Sequence, residues 1–208
     1  MSQSQFGAGP GTAIDFFDMT PIVIVSSDKI QIIFWWGLIF LKREIVDCQL
    51  VAVTEQHRDL FCDLYSNQRT MHYIGAPLSD EKALKNFQVV LRLSQQSAPR
   101  SLYRVIEMIS DSGQMATAGF VRIKKVTSGD AAIIGVMLQA EYQGKGVAYQ
   151  AHKQFMAEAN HMGYCQAFKA YCHLDNQRAH RLYQRLGFHK IRQLIYHEKP
   201  AIEWRWGI

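Results

Sequence analysis

The sequence lacks the short patterns that mark metal centres and redox sites. Its four cysteines (Cys48, Cys62, Cys165 and Cys172) form no CxxC pair and no spacing that suits a metal ion. We expect them to be small buried thiols, and nothing about them requires an oxidising compartment. The N-terminus also lacks the positive start and the small-residue cleavage site of a secretory signal. A cytoplasmic protein without a metal is therefore predicted.

Long hydrophobic runs are absent as well. The most apolar stretch, residues 30–41, contains Trp35 and Trp36 but is too short to cross about 30 Å of hydrocarbon. Extending it back to residue 22 would bring Asp28 and Lys29 into the bilayer, so no membrane span is expected. The alternatives for this segment are a buried strand or helix and a surface for self-association, which would make the protein a homodimer.

The composition excludes a disordered or fibrous protein, because 48% of the residues are hydrophobic and 20% are charged. The length of 208 residues suits one domain with an appendage. The net charge of +5 is unevenly placed: residues 1–140 carry 13 basic and 13 acidic side chains, whereas residues 141–208 carry 10 and 5. The last third of the chain is therefore the part expected to meet an anion.

The hydrophobic pattern predicts a mixed α+β sheet in residues 47–208, after an N-terminal extension (1–46) whose first 13 residues are expected to be disordered. Predicted strands cover residues 49–53, 102–109, 116–123, 131–138, 166–172, 188–196 and 202–206, the last two placed around Pro200. Predicted helices begin at Thr54 and Ser79 and cover residues 144–162 and 176–186. The inward side chains of the second helix are predicted to be Leu84, Phe87, Val90 and Leu91.

A glycine-rich turn joins the strand at 131–138 to the following helix. The helix start offers unpaired N–H groups and a partial positive charge, which together suit a diphosphate. Two phosphate-binding motifs do not fit this turn. The P-loop (Walker A) motif needs Ser or Thr after its lysine, where Gly146 follows Lys145, and the dinucleotide fingerprint needs a third glycine, where Tyr149 stands. An ordinary strand-to-helix turn is the alternative.

Two motifs resemble the signatures of the GNAT N-acetyltransferases. Gln143 to Ala148 fits the acyl-CoA pyrophosphate pattern Q/R-x-x-G-x-G/A, and Asn176 to Phe188 fits N-x-x-A/S-x-x-L/F-Y-x-x-x-G-F. The resemblance covers residues 48–206 and is to the branch that includes ribosomal-protein alanine acetyltransferases. Ala140 departs from a common proline, and Ile133 from an acidic residue often found in that branch. The resemblance implies a GNAT-like, mostly antiparallel central sheet that is splayed between its fourth and fifth strands and flanked by helices.

The resemblance also implies an acetyl-CoA-dependent N-acetyltransferase with named site residues. The amide of Leu138 would stabilise the oxyanion, and Tyr183 would be the general acid for the departing thiolate. Core packing is the alternative for Tyr183, and helix capping is the alternative for Asn176. The residues that would bind the cofactor are Met137, Leu138, Gln139, Gln143, Gly144, Lys145, Gly146, Val147, Ala148 and Asn176.

The acceptor is expected to be a primary amine of a protein N-terminus or of a small molecule. Its general base stays open between Glu107, Asp130, Glu141, His173 and water, and His72 and Tyr73 occupy positions that commonly shape the acceptor pocket of this fold. One alternative function is a catalytically silent acyl-CoA-binding or assembly module. The other is nucleic-acid binding through Arg178, Arg181 and Arg185, which no recognised motif supports, so no nucleic acid is expected.

Overall fold

The computed structural model of the chain describes residues 22–26, 29–33, 48–109, 113–126 and 131–207. The chain divides into two units, residues 1–44 and 45–208. In the first unit, strands β1 (Ile22–Ser26) and β2 (Lys29–Ile33) pair antiparallel. The predictions for residues 1–13, for Trp35 and Trp36, and for Asp130 lie outside the described residues.

The second unit contains a seven-stranded sheet with helices on both faces. Its strands are β3 (Cys48–Val51), β4 (Ser101–Ile109), β5 (Met115–Lys124), β6 (Ala131–Leu138), β7 (Ala167–His173), β8 (His189–Tyr196) and β9 (Lys199–Trp206). Its helices are α1 (Arg58–Ser66), α2 (Gln68–Met71), α3 (Asp80–Ser94), α4 (Val147–His161) and α5 (Gln177–Arg185). The strand order is β3-β4-β5-β6-β7-β9-β8, and β6–β7 is the one parallel pair among these neighbours. The predicted α+β fold class is confirmed.

Strands β6 and β7 pair only where they begin. Their register runs from Ala131 opposite Ala167 to Ile133 opposite Lys169 and then ends. Strand β6 nevertheless stays paired with β5 as far as Leu138, opposite Gly119. The five unpaired residues of β6 leave an opening roughly 16 Å long, which we call the wedge. The predicted splay between the fourth and fifth strands of the sheet is confirmed.

Side chains alternate between two cores because successive residues of a strand point to opposite faces. On one face, α4 and α5 pack over the centre of the sheet, and the buried residues there include Ile134, Phe155, Phe168, Tyr183 and Trp204. On the other face, α1 and α3 cover β4 and β5, and the buried residues there include Phe61, Phe87, Tyr103, Val105 and Phe120. None of the helices in the described part of the chain is long and apolar enough to cross a membrane.

The structure corrects the predicted inward face of α3. Leu84, predicted to face the core, is exposed, whereas Ala83, Phe87 and Val90 are buried. The first core-facing residue of the helix was predicted one position too late, because the small side chain of Ala83 gives a weaker hydrophobic signal than that of Leu84. Ser79 caps this helix as predicted, since its hydroxyl accepts from the Lys82 N–H.

The last two strands also differ from the prediction. Pro200 lies inside β9 and not in the turn, which is made instead by His197 and Glu198 with φ of 50° and 62°. Proline, which has no N–H to donate, is tolerated there because it lies next to the start of the strand. Its carbonyl accepts from the Leu174 N–H at 3.1 Å. The short helix α2 was not predicted. It follows Asn67, whose side chain caps it by accepting from two backbone N–H groups.

Candidate active site

The turn between β6 and α4 has the geometry of an anion cradle, a name we use for residues 143–148. Gly144 and Gly146 have φ of 80° and 89°, a region that glycine enters without strain. Gly146 is the N-cap of α4, so the N–H groups of Val147 and Ala148 have no acceptor within the helix. Together with the positive end of the helix dipole, these groups suit a diphosphate.

Gln143 holds the cradle against two neighbouring elements. Its Nε2 donates to the Leu138 carbonyl at 3.0 Å, and its Oε1 accepts from Arg178 Nη1 at 3.1 Å. The amide side chain is suited to this position because it supplies both a donor and an acceptor. Gln143 therefore ties the end of β6 and the start of α5 to the cradle, a role that the sequence motif did not reveal.

Basic side chains surround the cradle. Arg178 reaches it through Gln143, and the guanidinium of Arg185 lies 4.0 Å from the ring centroid of Tyr149 on α4. Lys145 is exposed within the turn, and the first turn of α4 contains no acidic residue. Two of the three arginines considered for nucleic-acid binding therefore contact the side of the molecule that forms the cradle. Part of the basic excess of the last third therefore lies where a polyphosphate would sit.

The edge of β6 directs the Leu138 amide into the wedge. The Gln139 N–H donates to the Ala118 carbonyl on β5 at 2.9 Å. Since successive N–H groups of a strand point to opposite sides, the Leu138 N–H points away from β5. Of the three edge residues predicted to hold the pantetheine arm, Met137 and Gln139 turn their amides towards β5, and Leu138 turns its amide towards the wedge.

Tyr183 lies between α5 and the sheet, with only 5% of its surface exposed. Its ring centroid is 5.2 Å from that of Phe188, 5.8 Å from that of His152 and 6.2 Å from that of Trp204. Burial, and then the neighbouring Cys172 thiol, raise the pKa of Tyr183 well above its usual range. The ring thus packs as a core residue, and the hydroxyl keeps its proton at physiological pH.

The start of α5 is fixed by Asn176. Its side-chain oxygen accepts from the Ala179 N–H at 3.1 Å, which is the capping arrangement given above as the alternative for this residue. Gly187, with φ of 83°, follows the other end of the helix. The helix that carries Tyr183 is therefore defined at both ends by residues of the second motif.

A buried pair, Cys172 and His180, joins β7 to α5. His180 Nε2 lies 2.8 Å from the Leu174 carbonyl and donates to it, so Nδ1 is the acceptor for the Cys172 thiol 3.3 Å away. Burial raises the pKa of Cys172 to about 11, against a smaller lowering by Trp204. A thiol that keeps its proton is a poor nucleophile, so the pair holds α5 against the sheet. Sequence reasoning missed His180, although its spacing of three residues from Tyr183 places both on one helix face.

His152 on α4 is a second buried histidine that sequence reasoning missed. Its Nδ1 donates to the Ala148 carbonyl at 2.8 Å, whereas Nε2 has no hydrogen-bond partner among the described residues. The side chain is fully buried against the Tyr183 ring. Burial lowers the pKa of His152 to about 4, and the bond to Ala148 opposes that change only in part.

The free energy of unfolding should fall as the pH drops from about 6.5 to 4. The folded state holds His152 neutral, whereas the unfolded chain binds a proton near pH 6.5, so acid favours unfolding. The stabilisation is complete above pH 6.5, and about 3 kcal/mol of it should be lost across this window. Urea titrations at pH 7, 5.5 and 4.5 measure the slope. His152→Leu should show a flatter profile than the wild type, and an equally steep one would contradict this account.

Three ring side chains meet at the end of β7. The ring centroids of Tyr73 and His173 are 5.6 Å apart, and those of His72 and Tyr73 are 4.6 Å apart. His173 Nδ1 accepts from the Asp175 N–H at 3.1 Å, so the neutral ring carries its proton on Nε2. Its Nδ1 also lies 3.7 Å from the Asp175 carboxylate, so Asp175 fixes the orientation of the His173 ring beside Tyr73.

The other predicted bases that the structure describes, Glu107 and Glu141, lie on different elements. Glu107 is partly exposed on β4, and its Oε1 is 3.9 Å from Nε2 of buried His57. Glu141 is exposed in the turn that precedes the cradle. No group of three metal-ligating side chains occurs in the described part of the chain. The structure therefore brings together the residues predicted to bind the cofactor more closely than those predicted to activate the acceptor.

Several solved structures share this architecture. One is an acetyltransferase from Salmonella typhimurium that modifies the N-terminal serine of ribosomal protein L7/L12, with a TM-score of 0.65 and 20% identity over 80% of this chain and 97% of that chain. Another is the spermidine N-acetyltransferase from Vibrio cholerae with CoA and spermine, with a TM-score of 0.65 and 17% identity over 76% and 94%. The microcin C7 self-immunity acetyltransferase MccE, with acetyl-CoA and AMP, has a TM-score of 0.65 and 18% identity over 80% and 95%.

At these identities the likeness concerns the fold, and the ribosomal-protein enzyme agrees with the branch that the sequence motifs resemble. A comparison with curated protein sequences finds no match. The family model of the acetyltransferase (GNAT) domain matches residues 48–189, which include the cradle, the wedge and α5. The chain therefore belongs to the acetyltransferase (GNAT) domain family and is an acetyltransferase.

Proposed function

We propose that this protein transfers the acetyl group of acetyl-CoA to a primary amine of a protein N-terminus or a small molecule by direct attack. The observation that carries the proposal is the position of the wedge. It opens next to the anion cradle, exposes the Leu138 amide of β6 and is followed in the chain by the helix that holds Tyr183. A cofactor with a diphosphate and an extended arm fits such a site, because the arm can add to the open strand edge.

The cofactor side of the site would use backbone groups more than side chains. The amides of residues 143–148 would bind the diphosphate, and Arg178 and Lys145 would neutralise part of its charge. Asn176 already caps α5 and would contact the arm. Gln143 would act indirectly, by keeping the cradle fixed to β6 and α5.

The reaction needs a hydrogen-bond donor at the carbonyl oxygen of the thioester and a proton donor at its sulfur. As the acceptor nitrogen attacks the thioester carbonyl, the Leu138 N–H would donate to the oxygen that becomes negative. When the C–S bond then breaks, the Tyr183 hydroxyl would give its proton to the leaving sulfur and recover one from solvent. The proton lost by the acceptor would go to Glu107, Asp130, Glu141, His173 or water.

A two-stage assay tests this proposal. Calorimetry first measures CoA binding to the whole chain, and thiol release from acetyl-CoA is then followed over a panel of peptides, polyamines and amino sugars. Binding together with amine-dependent thiol release is the expected result. Binding without release for any amine would favour a catalytically silent acyl-CoA-binding module, and absence of binding would contradict the assigned cofactor site.

A further inference from the structure

The sheet face opposite α4 and α5 contains a hollow beside the wedge. The odd-numbered residues of β6 and β7 point to this face and are all partly exposed. At the centre lies Gly135, where an added Cβ would meet no atom within 4 Å. Because β7 has already separated from β6 at this level, the hollow opens directly into the wedge. A substrate that approaches from this face could therefore reach the Leu138 amide.

Side chains from five strands and α1 border the hollow. The pairing places Arg122 opposite both Tyr103 and Gly135, and it places Glu203 opposite both Tyr171 and Arg192. The rings of Tyr171 and Tyr196 stack with centroids 4.2 Å apart and an interplanar angle of 11°. We use "the hollow" for the space bordered by Tyr65, Tyr103, Arg122, Gly135, Tyr171, Tyr196 and Glu203.

The hollow has an excess of positive charge. The carboxylate of Glu203, 1% exposed, accepts from Arg192 Nε at 2.9 Å and from Arg205 Nε at 2.7 Å. The single negative charge of Glu203 is therefore already paired with two guanidinium groups and is not free to neutralise a third cation. With Arg122, three guanidinium groups stand against one carboxylate around this space.

Arg122 has phenols for neighbours, and among the described residues it forms no ion pair with a carboxylate. Its guanidinium forms a side-chain hydrogen bond with Tyr103, and Tyr65 and Tyr196 lie near enough to influence it electrostatically. Phenols are neutral at physiological pH, so they can satisfy hydrogen bonds but cannot balance the charge. A largely buried guanidinium gains most from an anion, and its planar fork matches a carboxylate.

We propose that Arg122 is a specificity-determining residue and that the acceptor is an amine that also carries a carboxylate. This inference rests on the proposed acetyl transfer and names its substrate class. Arg122 lies opposite Gly135, which is three residues, or roughly 10 Å, from Leu138 along β6. A substrate carboxylate held by Arg122 would therefore be several bonds away from an amine that reacts beside the Leu138 amide. An N-terminal residue followed by an acidic residue has this spacing. The stacked rings of Tyr171 and Tyr196 form an apolar side of the hollow, and polycationic amines are disfavoured by its charge.

Three peptides with the same reacting amine test the proposal: glycyl-glutamate amide, glycyl-glutamine amide and glycyl-lysine amide. For the wild type, kcat/KM for the first should exceed that for the second by 10- to 100-fold and should exceed that for the third further. Arg122→Gln should remove this preference while leaving the Kd for CoA unchanged, and Arg122→Lys should retain part of it. The matched control Arg92→Gln, on the exposed side of α3, should keep the wild-type preference.

Binding of the same peptides to the CoA-loaded chain, measured by calorimetry, supplies a readout without turnover. Tighter binding of glycyl-glutamate amide that is lost in Arg122→Gln supports the assignment even if no peptide is acetylated. Equal binding and equal kcat/KM for all three peptides, or an unchanged preference in Arg122→Gln, would overturn it. If CoA binds and amines are acetylated without regard to charge, the acetyl transfer stands and the assignment of Arg122 fails.

Discussion

Gly146→Glu should abolish CoA binding, with the Kd weakened at least about 100-fold, or roughly 2.8 kcal/mol. Gly146 is the N-cap of α4 and has φ of 89°, so any side chain there is strained. A carboxylate at this position would also place a negative charge in the cradle that is expected to receive the diphosphate. Calorimetric titration with CoA measures the effect.

Gly163→Glu is the matched control for the glycine substitution. Gly163 follows the other end of α4, has φ of 65°, and an added Cβ would meet no atom within 4 Å. This variant should show a similar loss in Tm and keep the wild-type Kd for CoA. Wild-type affinity in Gly146→Glu would rule out the cradle, and equal losses of affinity in both variants would show that strain and not charge is responsible.

Tyr183→Phe should lower kcat by about 10²- to 10⁴-fold and change the KM for acetyl-CoA by less than about threefold. The phenylalanine ring preserves the packing on Phe188, His152 and Trp204, so only the proton donor is removed. Because the pKa of Tyr183 is raised by burial, wild-type kcat should show no loss from this group as the pH rises from 7 to 10. Steady-state kinetics across that pH range test both statements.

Tyr164→Phe provides the corresponding control. The Tyr164 hydroxyl donates to the Pro99 carbonyl at 3.0 Å, beyond the end of α4 that lies away from the cradle. Removing it should leave kcat within about twofold of the wild type. If Tyr183→Phe turned over as fast as Tyr164→Phe at every pH, Tyr183 would be a core residue alone.

The turn of the cradle and the ends of α5 were predictable because their signals are local. The glycines of the cradle and the residues that begin and end α5 each lie within one short stretch of sequence, and their conformations follow from residue type. The contact between Gln143 and Arg178 was not predictable in the same way, because the two residues are 35 positions apart. The motif identifies the turn, but only the fold shows what holds it in place.

The hollow could not be predicted from the sequence. Arg122, Tyr171 and Glu203 belong to β5, β7 and β9, and the alternation along each strand shows only that they share a face with every second neighbour. Their proximity depends on the sheet order, in which β9 lies between β7 and β8.

Mass spectrometry after incubation with acetyl-CoA carrying a ¹³C-labelled acetyl group tests the central claim most directly. With glycyl-glutamate amide and the wider amine panel as acceptors, the account predicts label on an acceptor amine and none on the protein, because the Cys172 thiol keeps its proton and the amine attacks the thioester itself. Label on Cys172 that then passes to the amine, or no labelled amine from any acceptor, would contradict it.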